Sequence, residues 1–139
     1  RSGKARVDFQ LVETMRKNMQ RRHKYLISNS GQRDNRMDYA APFKAVIFGT
    51  ALGARNTLSE IGDGFDVMYA CNSEADLSGQ TFCGLPVIDL QQLQAVIQDV
   101  DCVLVASGYF FKIKKVLMEV AGVPDYKIVR VPAAVIVGD

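Results

Sequence analysis

The sequence predicts an α/β domain in which a parallel sheet of about five strands lies between two layers of helices. From residue 43 onward, short apolar runs of strand length alternate with longer segments of helical periodicity. The apolar runs are nearly continuous, which is typical of parallel strands that are buried on both faces. A basic amphipathic helix and a polar linker are predicted over residues 1–42, ahead of a domain that occupies residues 43–139.

The N-terminal helix is predicted over residues 5–28, and it combines one apolar stripe with a strong positive charge. The stripe recurs at spacings of about 3.5 residues and consists of Phe9, Val12, Met15, Met19 and Leu26. Residues 1–43 hold ten Lys and Arg against four Asp and Glu, whereas residues 44–139 hold seven against eleven. Because an exposed apolar stripe is costly, we expect it to pack on the domain itself, on a second copy or on a flanking domain.

The partners that this helix predicts are therefore another subunit, in a homo-oligomer, or a flanking domain. Its cations also suit nucleic acid or an anionic membrane surface, but aromatic residues are few and Trp is absent from the stripe. Nucleic acid is for that reason not expected as a partner. No apolar run approaches the length of a membrane span, and a cytoplasmic location is expected.

The first strand of the domain, predicted over Lys44–Phe48, runs directly into a glycine and then into a helix. This order opens a Rossmann-type βαβ unit, in which the helix N-terminus can hold a phosphate. Against the pattern G-x-G-x-x-G/A, the sequence has Gly49, then Ala51 in place of the second glycine, then Ala54. Gly53 falls outside the pattern.

The remaining elements follow from the same periodicities. Further strands are predicted over Phe65–Cys71, Gly84–Ile88, Asp101–Ala106 and Lys127–Val131, with a short sixth over Val135–Val137. Helices are predicted over Leu52–Ile61, Leu90–Gln98 and Tyr109–Ala121. Asp89 and Gln92 have the spacing of a capping box at the start of the second of these helices, and Gly122 ends the third.

The candidate site lies where the carboxyl ends of the strands meet, because parallel sheets of this type bind ligands where the strand order reverses. Three loops reach that edge, after the first, second and fourth major strands. The candidate ligand-binding residues in these loops are Gly49, Thr50, Ala51, Leu52, Gly53, Ala54, Arg55, Asn72, Ser73, Ser107, Gly108 and Tyr109.

Several segments of this domain resemble a family of small Rossmann-like domains. The segment from Val46 to Arg55 is similar to the hydrophobic–GAGxxGR opening of that family, and Val67–Asn72 looks like its second strand. Gly79–Ile88 is the most specific piece, since it resembles the family's segment with a glycine, a Pro-Val pair and flanking apolar positions. Such domains stand at the N-terminus of nucleotide-sugar dehydratases of polysaccharide biosynthesis and of sialic-acid-type sugar acetyltransferases.

The resemblance implies a nucleotide- or nucleotide-sugar-binding module of a polysaccharide- or sugar-biosynthesis protein. Its ligand would be NAD(P), another nucleotide or a UDP-sugar. The sequence has no cluster of metal-ligating residues, so no metal is expected. Ala51 and Asn72 stand where the family has a glycine and an acid, and both departures argue against tight binding of NAD. The alternative is a non-catalytic interaction or oligomerisation module with a degenerate dinucleotide site.

No catalytic set is visible in the sequence, and the resemblance leaves open whether the chain is a domain of a dehydratase, a dehydrogenase or a transferase. Tyr109 and Lys112 are three residues apart, whereas short-chain dehydrogenases need Tyr-x-x-x-Lys. The cysteines Cys71, Cys83 and Cys102 have no C-x-x-C spacing, which favours reduced, mostly buried thiols.

Overall fold

The structure is a computed structural model that describes residues 9–20, 42–74 and 78–137. Within these residues the strands are β1 (Phe43–Phe48), β2 (Phe65–Cys71), β3 (Thr81–Phe82), β4 (Leu85–Ile88), β5 (Cys102–Val105) and β6 (Ile128–Arg130). The helices are α1 (residues 9–20), α2 (Leu52–Glu60), α3 (Leu90–Val96), α4 (Phe110–Glu119) and α5 (Ala133–Val137). Short 3₁₀ turns cover Ile97–Asp99 and Asp125–Lys127.

The described strands form one sheet in the order β3-β4-β2-β1-β5-β6. All neighbours pair in parallel except β3, which runs antiparallel to β4 at one edge. After β4 the chain crosses over to β5 on the far side of β1, so the strand order reverses at β1. The predicted α/β fold with a largely parallel sheet is confirmed, and β1 is its central strand.

The two faces of the sheet carry separate apolar clusters, because successive side chains of a strand point to opposite faces. Ala45 and Ile47 of β1 belong to the cluster covered by α1, α2 and α5. Val46 and Phe48 belong to the cluster covered by α3 and α4. The domain is therefore a three-layer sandwich with one core on each side of the sheet.

Helix α1 packs its apolar stripe on the domain's own sheet, which was one of the three predicted ways to bury it. Leu11 and Met15 are 2% and 0% exposed, and Val12 and Met19 pack partly buried against the same cluster. Phe9 is 66% exposed, so its place in the predicted stripe is wrong. The buried face of the helix includes Leu11 instead. Leu26 and residues 29–41 of the linker lie outside the described residues. The domain boundary expected after residue 42 stays a prediction.

Two cysteines are buried in the sheet as expected, at the end of β2 and the start of β5. Burial, and then the nearby Asp89 carboxylate, raise the pKa of Cys71 to about 12. Burial likewise raises the pKa of Cys102. Both are neutral thiols near pH 7 and hence poor nucleophiles.

The third cysteine, Cys83, is exposed in the turn between β3 and β4. Cys83 and Gly84 have φ values of +51° and +81°, the positive pair that a two-residue type I′ hairpin requires. The strand predicted to begin at Gly84 therefore begins one residue later. Cys83 is the exception to the expectation of mostly buried thiols.

The predicted sixth strand over Val135–Val137 is wrong, because this segment is the short helix α5. Pro132 precedes the helix, and its carbonyl accepts from the N–H groups of Val135 and Ile136. The Asn56 side chain of α2 donates to the Ile136 carbonyl at 3.0 Å, which ties the two helices together. The β-branched residues predict a strand locally, but burial of Val135 against the core and contact with α2 favour the helix.

The docking of α1 is testable with two substitutions on the same helix. Met15→Ala should lower the free energy of unfolding by about 2–5 kcal/mol, because it opens a cavity at a fully buried position. Phe9→Ala, at a largely exposed position, should change it by less than about 0.5 kcal/mol. Urea unfolding of both variants measures the difference, and equally small losses would contradict the docked helix.

Candidate functional site

The carboxyl ends of β1, β2 and β5 bring three loops to one edge of the sheet. Gly49 N–H donates to the Cys71 carbonyl at 2.9 Å, and Ala106 N–H donates to the Phe48 carbonyl at 3.2 Å. These bonds extend the ladder past the strand ends on both sides of β1. The loops that hold the candidate residues are therefore fixed next to one another.

The turn from β1 into α2 leaves the start of the helix without a side-chain cap. Gly49 has φ +126°, a conformation that L side chains rarely adopt. Ala51 is the N-cap residue, in extended conformation, and has no side-chain oxygen to accept from the first turn. The first intrahelical bond is donated by Arg55 N–H to the Ala51 carbonyl, so the amides of residues 52–54 precede the helical ladder.

Gly53, which falls outside the sequence pattern, packs tightly against the end of β5. A Cβ built on Gly53 would lie 2.8 Å from the Ala106 carbonyl oxygen and 2.8 Å from Cγ2 of Ile136. Ala54, at the permissive third position of the pattern, is buried with room for its methyl group. The close approach of helix and strand thus depends on Gly53, outside the pattern, and not on Ala54 at the third pattern position.

Asn72, at the end of β2, holds the turn in place. Its Nδ2 donates to Oγ1 of Thr50 at 2.5 Å, and its Oδ1 accepts from Glu74 N–H at 2.7 Å. The resemblance implies that Asn72 occupies the position of an acid that pairs with ribose. In the structure its amide joins the β1–α2 turn to the loop after β2.

The loop after β5 turns into α4 through a local side-chain bond. Oγ of Ser107 accepts from Tyr109 N–H at 3.1 Å, and Gly108 lies exposed between them. The Tyr109 side chain is 74% exposed at the start of α4. Arg130, at the end of β6, places its guanidinium 5.2 and 5.3 Å from the rings of Phe110 and Phe111.

A pocket of about 290 Å³ adjoins these loops on the α4 side of the sheet. It is lined by Phe48, Ser73, Tyr109, Lys112, Ile113 and Val116. Of the predicted site residues, the pocket brings together Ser73 and Tyr109. Gly49 to Ala54 form the neighbouring turn, whereas Arg55 points elsewhere, with its guanidinium 5.7 Å from the ring of Phe82.

Sequence reasoning missed the remaining pocket residues, Phe48, Lys112, Ile113 and Val116. In the sequence, Lys112 stands out only for its spacing from Tyr109, which does not match Tyr-x-x-x-Lys. Its position in the first turn of a helix that follows a central strand was the signal that could have placed it in the site. No group of three or more His, Cys, Asp or Glu side chains in the described part of the chain is arranged to hold a metal ion.

No protein-family model and no curated protein matches this sequence. Among solved structures, RSP in complex with beta-NADH is similar with a TM-score of 0.44 and 12% identity, over 66% of this chain and 54% of that one. RSP, described as a Rex-family repressor, gives a TM-score of 0.46 and 13% identity over the same shares. RSP in complex with beta-NAD+ and operator DNA gives 0.42 and 13%, over 63% and 49%.

This chain therefore spans about half the length of the structures it matches. At such TM-scores the similarity carries neither a ligand nor a partner over to this protein. The expectation that nucleic acid is not a partner is nevertheless contradicted, because one of these similar structures is of RSP in complex with operator DNA. That exclusion is withdrawn. Among the described residues, no helix is long and apolar enough to cross a bilayer.

The close approach at Gly53 makes a prediction about stability. Gly53→Ala should lower the free energy of unfolding by about 1–3 kcal/mol, because its methyl group would overlap the Ala106 carbonyl, which cannot rotate away. Gly108→Ala is the matched control, since a Cβ there meets nothing within 4 Å. Urea unfolding compares the two, and a Gly53→Ala protein as stable as the parent would contradict the packing described.

Proposed function

We propose that this chain is a Rossmann-like module that binds a nucleotide, with a phosphate group at the N-terminal turn of α2. The observation that carries the proposal is the uncapped start of this helix at the carboxyl end of the central strand, beside a pocket. Sheets of this topology bind ligands at the point where the strand order reverses. Here that point is β1, flanked by β2 and β5.

The chemistry of the turn suits an anion. The amides of Leu52, Gly53 and Ala54 have no intrahelical acceptor, and the partial positive charge of the helix N-terminus lies at the same place. The first turn of α2 contains no acidic residue that would repel a phosphate. Gly49 and Ala51 carry little or no side chain, which leaves space for the oxygens of a phosphate group.

The neighbouring pocket suits the nucleoside part of such a ligand. Phe48, Ile113 and Val116 offer an apolar wall, while Ser73 and Tyr109 offer hydroxyl groups. A volume of about 290 Å³ is at the small end for ligand pockets and suits one nucleoside better than a whole dinucleotide. NAD(P) and UDP-sugars both contain such a unit, and the role in sugar biosynthesis rests on the sequence resemblance alone.

An interaction module is the second candidate function, and one observation favours it. Phe111 and Met118 lie seven residues apart on α4, on one helical face, and are 72% and 43% exposed. A partner subunit would cover them, whereas a nucleotide at the sheet edge would not. The stripe of α1, by contrast, is already covered by the sheet.

A substitution at the N-cap of α2 tests the proposed phosphate site. In Ala51→Asp the carboxylate can accept from the first-turn amides, which should stabilise the protein by about 0.5–2 kcal/mol. The same carboxylate would occupy the anion site, so affinity for ADP should fall by at least about tenfold. Urea unfolding measures the expected gain in stability, and calorimetric titration with ADP measures the expected loss of affinity.

Ala51→Gly is the control, because it removes a methyl group without adding a charge. It should retain ADP binding, and it should strengthen binding of a dinucleotide if the methyl group obstructs the diphosphate. If the Ala51→Asp protein is stabilised but binds ADP as tightly as the parent, the phosphate does not bind at the N-terminus of α2. A parent protein that binds none of ADP, UDP, NAD+ and NADP+ would end the proposal.

A further inference from the structure

Lys112 gives the pocket a positive charge. A nucleoside without a phosphate on its ribose has no anionic group to pair with it. Resting on the nucleotide-binding function proposed above, we infer that the pocket selects a nucleotide whose ribose carries its own phosphate monoester. Lys112 would bind that phosphate, with the hydroxyl groups of Ser73 and Tyr109 as further donors. Nucleotides of the NADP type and of the coenzyme A type belong to this chemical class.

The first support is that an amide side chain, Asn72, and not a carboxylate, directly follows β2. Sites that prefer an unmodified ribose place a carboxylate here to accept from its hydroxyl groups, and that carboxylate repels a ribose phosphate. This chain has Asn72, whose amide bonds to Thr50 and to Glu74 N–H, followed by Ser73 on the pocket wall. Glu74 itself is exposed, and no carboxylate is among the described residues that line the pocket.

The second support is the charge state of α4. Lys114 is paired with Asp125 at 2.6 Å, and Lys115 does not line the pocket. Lys112 does line it and has no ion pair with any described residue. Its ammonium is therefore available to a ligand in the pocket, and a phosphate monoester carries up to two negative charges near neutral pH.

The third support is the division of the pocket wall. Phe48, Ile113 and Val116 form the apolar part, which suits a base, and the three polar side chains are all hydrogen-bond donors when Lys112 is charged. A ribose with free hydroxyl groups would leave the ammonium group without an anionic partner. A ribose phosphate supplies acceptors for all three side chains.

Ligands that differ by a single phosphate test this inference directly. The parent protein should bind NADP+ about tenfold more tightly than NAD+, and 2′,5′-ADP more tightly than 5′-AMP, as measured by calorimetric titration. Coenzyme A against dephospho-coenzyme A extends the comparison to a 3′-phosphate. Tighter binding of the member with the ribose phosphate, in any of these pairs, supports the inference. The pair that shows this preference identifies the position of the phosphate on the ribose.

Lys112→Gln should bring the NADP+ to NAD+ affinity ratio close to one, whereas the matched Lys115→Gln should keep the ratio of the parent. Affinity for NADP+ should also fall more steeply with salt in the parent than in Lys112→Gln. Equal affinity of the parent for both members of every pair would overturn the inference and leave nucleotide binding standing. An unchanged ratio in Lys112→Gln would overturn it as well, and failure of the parent to bind any nucleotide would overturn both proposals.

Discussion

The contact on which the ligand edge depends is the approach of α2 to the end of β5 at Gly53. The Ala106 carbonyl oxygen and Cγ2 of Ile136 both lie 2.8 Å from where a Cβ on Gly53 would be, which is too close for any residue but glycine. The contact sets the height of the α2 N-terminus over the sheet, and with it the position of the first-turn amides. It also joins α5 to α2, where the Asn56 amide bonds to the Ile136 carbonyl.

In the proposed site, ligand recognition is divided between two elements. The turn before α2 offers backbone N–H groups and no charge, and Asn72 holds it by its bond to Thr50. Helix α4 offers the side chains, with Tyr109 and Lys112 on the pocket wall. A diphosphate would thus bind to the backbone N–H groups before α2, and a nucleoside would bind to the side chains of the pocket.

Much of the fold could be predicted because its signals are local. Strand β2 was predicted with the observed bounds, Phe65–Cys71, and the capping box of Asp89 with Gln92 is present as predicted. The errors arose where tertiary packing decides. Helix α5 has strand-forming residues, yet contact with α2 makes it helical, and the buried face of α1 depends on how Leu11 meets the sheet.

The candidate site divides in the same way. The β1–α2 turn could be predicted from its glycine and its strand–helix context, whereas the role of Gly53 could not, because the pattern does not record what the helix packs against. Lys112 was missed because its place on the wall depends on the rotation of α4, which the burial of Phe110 and Leu117 fixes. Sequence spacing gives the helix but not the direction that each of its side chains faces.

The central claim is that the amides at the start of α2 bind a nucleotide phosphate. A ¹H–¹⁵N correlation spectrum of the labelled protein, recorded during titration with ADP, observes those amides one by one. The account predicts the largest shifts at Leu52, Gly53 and Ala54, with smaller shifts at Ser73 beside the pocket. Shifts that leave these three amides unmoved, wherever else they fall, or no shifts at saturating ADP, would contradict it.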